Sequence, residues 1–235
     1  MRKINFLAIM LFCGVTAFSQ AVKDRNVIPV AVNLNQVLRM TITNGGNIEF
    51  VFNTIEDYKN GLSSEIGGAN PIPLTNNFYK TDFTVSSSTR WKLEYGTEEA
   101  TFLGTDKPAN TFALNNVGFK ITNNGTNIFE TGATIGLTPA AQLWSVPTTG
   151  ATKITALQTY PTTLITDNTV ATNSNAGDAA DNSFTLNWRC GTAEYLPAVA
   201  GPAPMNAVKL IDQSPSPAAD RYVANVLFEL SAILI

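Results

Sequence analysis

Apolar side chains that return at every second position dominate this chain. Ile28, Val30, Val32 and Leu34 do so within residues 27–34. Successive residues of an extended strand point to opposite faces, so such a set shares one face of a sheet and not a stripe of a helix. Residues 36–43 continue the pattern, with Leu38, Met40 and Ile42 opposing Val37, Arg39, Thr41 and Thr43. Asn44-Gly45-Gly46 supplies residues that tolerate positive φ, and residues 47–53 return with Ile48, Phe50 and Phe52 on one side, which predicts a hairpin. Further short strands are predicted over 78–86, 90–95, 111–114, 117–122, 152–158, 163–166 and 184–190, separated by Asn- and Gly-bearing turns. The longest alternating run is 220–235, with Tyr222, Ala224, Val226, Phe228 and Leu230 on one face, which predicts a central or closing strand.

Only one place reads as helix. Thr54 followed three residues later by Asp57, with Gly61 beyond, carries a start and a stop for one short helix. Many short strands at this spacing point to an all-β antiparallel sandwich with elaborated loops, or to a barrel. Composition does not shift sharply along the chain, so residues 20–235 read as a single β-sandwich domain.

Residues 1–19 have the three parts of a secretory signal peptide: Arg2 and Lys3, an apolar run from Ile4 to Phe18, then small residues at Ala17 and Ser19. Cleavage before Gln20 leaves 13 of the 15 basic side chains against 18 acidic ones, a formal charge of −5. That balance argues against nucleic acid as a partner. No interior stretch is apolar enough for an integral membrane span. Of the two cysteines only Cys190 remains after cleavage, so stability rests on a packed core and not on a disulfide. Charged residues are 14% of the chain, below the roughly 25% of an average protein. Such a surface is solvated by hydroxyls and amides, as in many extracellular β-proteins.

Histidine is absent, which removes the commonest general base near neutral pH and every Ser-His-Asp or Cys-His nucleophile. With one cysteine left, no zinc site of the usual kinds can be assembled, and there is no phosphate-binding glycine loop. No enzymatic function is therefore expected. Paired carboxylates could in principle hydrolyse glycosides, but Glu98-Glu99 reads as a solvated turn. Asn173, Asn175, Asp178, Asp181 and Asn182 offer oxygens that suit calcium, with Asp178 and Asp181 as the charged ligands, although the spacing lacks the EF-hand pattern. A polar connection rich in Asx turns is the alternative. Trp91 and Trp188 lie in strand patterns and read as core, as does Cys190. Trp144, in a loop-like stretch, is the candidate exposed ring for stacking on a sugar.

The strand 26–34 (Asn-Val-Ile-Pro-Val-Ala-Val-Asn-Leu), the central segment 79–85 (Tyr-Lys-Thr-Asp-Phe-Thr-Val) and the closing stretch 219–226 (Ala-Asp-Arg-Tyr-Val-Ala-Asn-Val) together resemble the secreted β-sandwiches of the spore coat U and class 5 fimbrial-subunit type. The end of the leader, Phe18-Ser19-Gln20, resembles those of the Bacteroidota. The resemblance implies an immunoglobulin-like sandwich completed by a strand donated from a neighbouring subunit. Ile28, Val30, Val32 and Leu34 would then fill the neighbour's groove. The alternative is that residues 27–34 pair within their own domain. The function expected is that of a cell-surface structural or adhesive protein, such as a fimbrium or pilus subunit. Its partners would be further copies or another envelope protein. A carbohydrate- or ligand-binding module of the surface or periplasm is the competing class.

Overall fold

The computed structural model describes residues 29–64, 78–127, 154–166, 174–193 and 205–233. The leader, Ile28 and Trp144 lie outside them. The chain divides into two compact units, residues 1–35 and residues 36–235.

The described residues of 36–235 form an all-β, antiparallel, sandwich-like fold. Its larger sheet contains β1 (Leu38–Asn44), β2 (Leu62–Ser63), β3 (Lys80–Ser87), β7 (Val117–Asn123), β8 (Ile154–Ala156) and β10 (Ser183–Cys190). The order is β1-β3-β10-β7-β8, with β2 on β10. A second sheet has the order β12-β4-β9, from β4 (Trp91–Thr97), β9 (Thr162–Ile165) and β12 (Val226–Ala232). A third joins β11 (Tyr222–Val223) to β5 (Thr101–Gly104) and β6 (Thr111–Ala113).

The alternation seen in the sequence places the core. Phe83 and Val85 of β3, Phe184, Leu186 and Trp188 of β10, and Phe119 of β7 turn inward from the larger sheet. They meet Trp91, Leu93 and Tyr95 of β4, which are buried to within 1% of full enclosure. Tyr95 stands edge-on to Phe119 at 5.2 Å and Trp91 edge-on to Phe184 at 6.2 Å, aromatic arrangements favoured by the ring quadrupoles. Trp91 and Trp188 are thus core residues, as expected.

The single α-helix among the described residues, α1 (Ile55–Asn60), also follows its local code. The Asp57 N–H donates to the Thr54 hydroxyl, and the Thr54 N–H donates back to the Asp57 carboxylate at 2.8 Å. These two bonds form a complete capping box. The N–H groups of Thr54 and Asn53 hold the Asp57 carboxyl below its ordinary value. No helix among the described residues is long and apolar enough to cross a membrane.

Two expectations about strands are corrected. Residues 47–53 do not form a hairpin with β1. Instead β1 pairs with β3, from Leu38 opposite Ser87 to Asn44 opposite Asp82. The chain does turn at Gly45 (φ 66°), where a Cβ would lie 1.7 Å from the Lys80 carbonyl oxygen. Beyond that turn, Phe50 stacks on Tyr79 at 4.5 Å and Phe52 leans on Tyr58 at 5.3 Å. Packing on those rings draws the segment away from β1. The closing run is likewise split: β11 and β12 belong to different sheets, and β12 is the outer strand of its sheet, not a central one.

An open cleft as the candidate functional site

Alternation without a ladder marks the site. In the segment 47–53, Ile48, Phe50 and Phe52 are half-buried while Glu49 and Val51 are exposed, the in-out pattern of a strand. Among the described residues, none pairs with it in a sheet. The segment starts from a fixed point: the Trp188 indole N–H donates to Thr81 Oγ1 at 2.9 Å, and that hydroxyl donates to the Gly45 carbonyl at 2.7 Å. A core tryptophan thereby positions the turn that launches it.

The second component is β12. It pairs with β4 from Val226 opposite Thr97 to Ala232 opposite Trp91, and its other edge has no partner strand among the described residues. Val226, Phe228 and Leu230 point inward yet stay half-buried. Phe228 reaches Phe83 at 6.3 Å and Tyr95 at 6.4 Å, so it touches both layers.

Between them these stretches line a cleft of about 730 Å³. Ile48, Phe50 and Phe52 contribute from one stretch, and Ala224, Val226 and Phe228 from the other. An exposed ion pair at the rim, Arg221 Nε to Glu49 Oε1 at 3.3 Å, joins the two stretches. Next to it, the Asp220 carboxylate accepts bonds from the backbone N–H groups of Asp106, Lys107 and Arg221 and from Asn110 Nδ2. These donors, the Asp106 N–H foremost, hold its carboxyl below the ordinary value.

The residues singled out in the sequence fall elsewhere. Val30, Val32 and Leu34 are 83%, 78% and 89% exposed, and residues 29–34 form no strand.

Asp178 and Asp181 sit in an exposed turn where their oxygens are engaged locally. Asp178 Oδ1 accepts from the N–H groups of Ala180 and Asp181, while Asp181 accepts from the Asp178 N–H and from Thr126 Oγ1. The Thr126 hydroxyl and then the Asp178 N–H keep the Asp181 carboxyl below its ordinary value. Asn175 is fully buried against Trp91, taking its backbone N–H and donating to its carbonyl. The stretch behaves as a chain of Asx turns and a bracket for Trp91. Among the described residues no three His, Cys, Asp or Glu side chains gather where a metal could be held.

Cys190 is buried, and burial raises its thiol far above the ordinary value, so it is not a ready nucleophile. Glu98 and Glu99 are exposed in the turn after β4.

Sequence reasoning missed the cleft because no motif spells it; Glu49 and Arg221 are 172 positions apart. The sequence matches no protein-family model and no curated protein.

Proposed function

We propose that the chain is an exported structural or adhesive subunit of a cell surface, working by β-strand addition and not by catalysis. The observation that carries this reading is the stretch ending at Leu34. Apolar side chains occupy every second position along it, Val30, Val32 and Leu34 among them, which gives one apolar face of the kind a partner strand or groove covers. The absence of histidine from the whole chain and the inert environment of Cys190 agree with a binding role. The reading of residues 1–19 as a secretory leader supports a location at the surface, outside the cell or in the periplasm, and the resemblance to fimbrial subunits supports further copies of the chain as the partner.

The test is the assembly state of the chain beginning at Gln20, by light scattering after size exclusion and by electron microscopy. Polymers or stable large assemblies are expected, and deletion of Gln20–Leu34 abolishes them while leaving a β-rich circular dichroism spectrum. A chain that stays monomeric with the segment present overturns the reading. It would favour instead a ligand-binding module of the envelope, for which the cleft has the volume of a small-molecule or glycan site.

A further inference from the structure

We infer that the open cleft binds a single-chain amphiphile with a zwitterionic head, its hydrocarbon chain directed into the cleft and its head held by the Glu49–Arg221 pair. The inference stands apart from the assembly reading, since a chain that stays monomeric can bind such a ligand and one that polymerises can fail to. The cleft changes character with depth. Its buried lining includes Val117 of β7, Trp188 and Cys190 of β10 and Phe112 of β6, together with Leu157 and Leu210. These residues are at most 9% exposed, so they mark its inner end, and a buried thiol behaves as a small apolar group. Thr81 is the one hydroxyl residue among the buried lining, and it is occupied by the Trp188 indole N–H and the Gly45 carbonyl.

That inner end selects against sugars. A glycan would carry hydroxyls into a region whose side chains leave them unmatched, which is costly, whereas a hydrocarbon chain gains by leaving water. A cleft of about 730 Å³ is within the size range of small-molecule sites. The mouth has the opposite chemistry. Glu49 and Arg221 pair there with both side chains more than half exposed, and an ion pair so placed contributes little in water. It can therefore be exchanged for a ligand that brings both signs, a phosphate for the Arg221 guanidinium and an ammonium for the Glu49 carboxylate. Asp220 beside them is already satisfied by the N–H groups of Asp106, Lys107 and Arg221 and by Asn110 Nδ2. With two carboxylates to one guanidinium at the mouth, a head that is only anionic is disfavoured.

The test is calorimetry and native mass spectrometry of the chain beginning at Gln20 with lauroyl lysophosphatidylcholine, kept below the concentration at which it forms micelles. Saturable binding of one molecule per chain is expected. The decanoyl homologue, shorter by two methylenes, should bind about tenfold more weakly. Laurate should also bind more weakly, and Glu49→Gln should narrow the preference for the zwitterion over laurate. Gly46 and Ala224 line the cleft from its two walls, and a Cβ added at Gly46 meets nothing within 4 Å. Gly46→Trp and Ala224→Trp should each reduce binding at least tenfold with the urea midpoint unchanged. A photoreactive group at the end of the chain should mark Leu157, Cys190 or Leu210. Binding that survives both tryptophan substitutions, or crosslinks confined to other surfaces, overturns the site. Equal affinity for the lauroyl and decanoyl probes overturns the buried chain, and laurate bound as tightly as the zwitterion overturns the assignment of the head. Capture by vesicles of dioleoyl phosphatidylcholine without saturable binding of the single-chain probe makes the face a bilayer contact and overturns the proposal.

Discussion

β10 and the segment 47–53 carry the same alternation and have different fates. Phe184, Leu186 and Trp188 lie inward on a strand flanked by β3 on one side and β7 on the other, and are at most 6% exposed. Ile48, Phe50 and Phe52 also lie inward, but on a stretch that pairs with no strand among the described residues, and they remain half-buried. Alternation therefore decides which side chains face the core. Whether the backbone acquires a ladder depends on what the rest of the chain brings alongside. The sealed region draws its stability from enclosure, and the open region is held by a few ring contacts, a capped helix and a carboxylate clamp.

The largest effect should come from the sealed side. Trp188→Ala removes a ring lying edge-on to Phe119 at 5.0 Å and leaves Thr81 without its donor. A loss of about 3–5 kcal/mol is expected, measured as a fall in the urea midpoint at unchanged slope. Because Thr81 also holds Gly45, the same change should loosen the turn before residue 47, seen as faster amide exchange there.

Phe50→Ala on the open side should cost about 1–2 kcal/mol, since a half-buried ring gives up only part of its transfer energy and one stacking partner. A loss equal to that of Trp188→Ala would break the contrast, by showing that the unladdered segment is as well enclosed as β10. Thr54→Ala comes next. It removes the hydroxyl that accepts the Asp57 N–H and should cost about 1 kcal/mol in the same measurement, with β-sheet circular dichroism unchanged.

The same contrast explains what could be read in the sequence. The strands that became β3, β4, β7 and β10 were legible because each buries one face, so a one-residue slip would move its whole apolar set outward. The helix was legible because Thr54, Asp57 and Gly61 act within one turn. Trp91 and Trp188 were legible as core from strand position alone. The partner of residues 47–53 was not, because Asn44-Gly45-Gly46 specifies a reversal but Tyr79 and Tyr58, which capture the segment, are distant or belong to the helix. The strand Thr101–Gly104 was missed because four residues carrying an adjacent Phe102-Leu103 pair show no alternation. The split between β11 and β12 at Ala224-Asn225 is invisible to periodicity, since Tyr222, Ala224 and Val226 keep phase across it while the ladder changes from β5 to β4.

The smallest effect separates the two regions by pH. Asp220, at the rim of the open cleft, has its carboxyl held down by the N–H groups of Asp106, Lys107 and Arg221 and by Asn110. A folded-state value below the unfolded one means that the folded protein binds fewer protons in that range. Its stabilising contribution is therefore complete above the ordinary carboxyl value of 3.8 and fades as the pH falls through the lower folded value. Asp57 in the capping box behaves the same way. Asp220→Asn should leave part of the clamp in place near neutral pH, because an amide oxygen still accepts hydrogen bonds, but should flatten the acid side of the stability profile below that value. In a pH series of thermal midpoints the variant and parent curves should converge as acid protonates the parent carboxylate. Their separation near neutral pH should persist in high salt if the bonds to backbone N–H groups dominate, and shrink if long-range charge does. Equal slopes in acid would show that the Asp220 clamp does not distinguish the open rim from the sealed core.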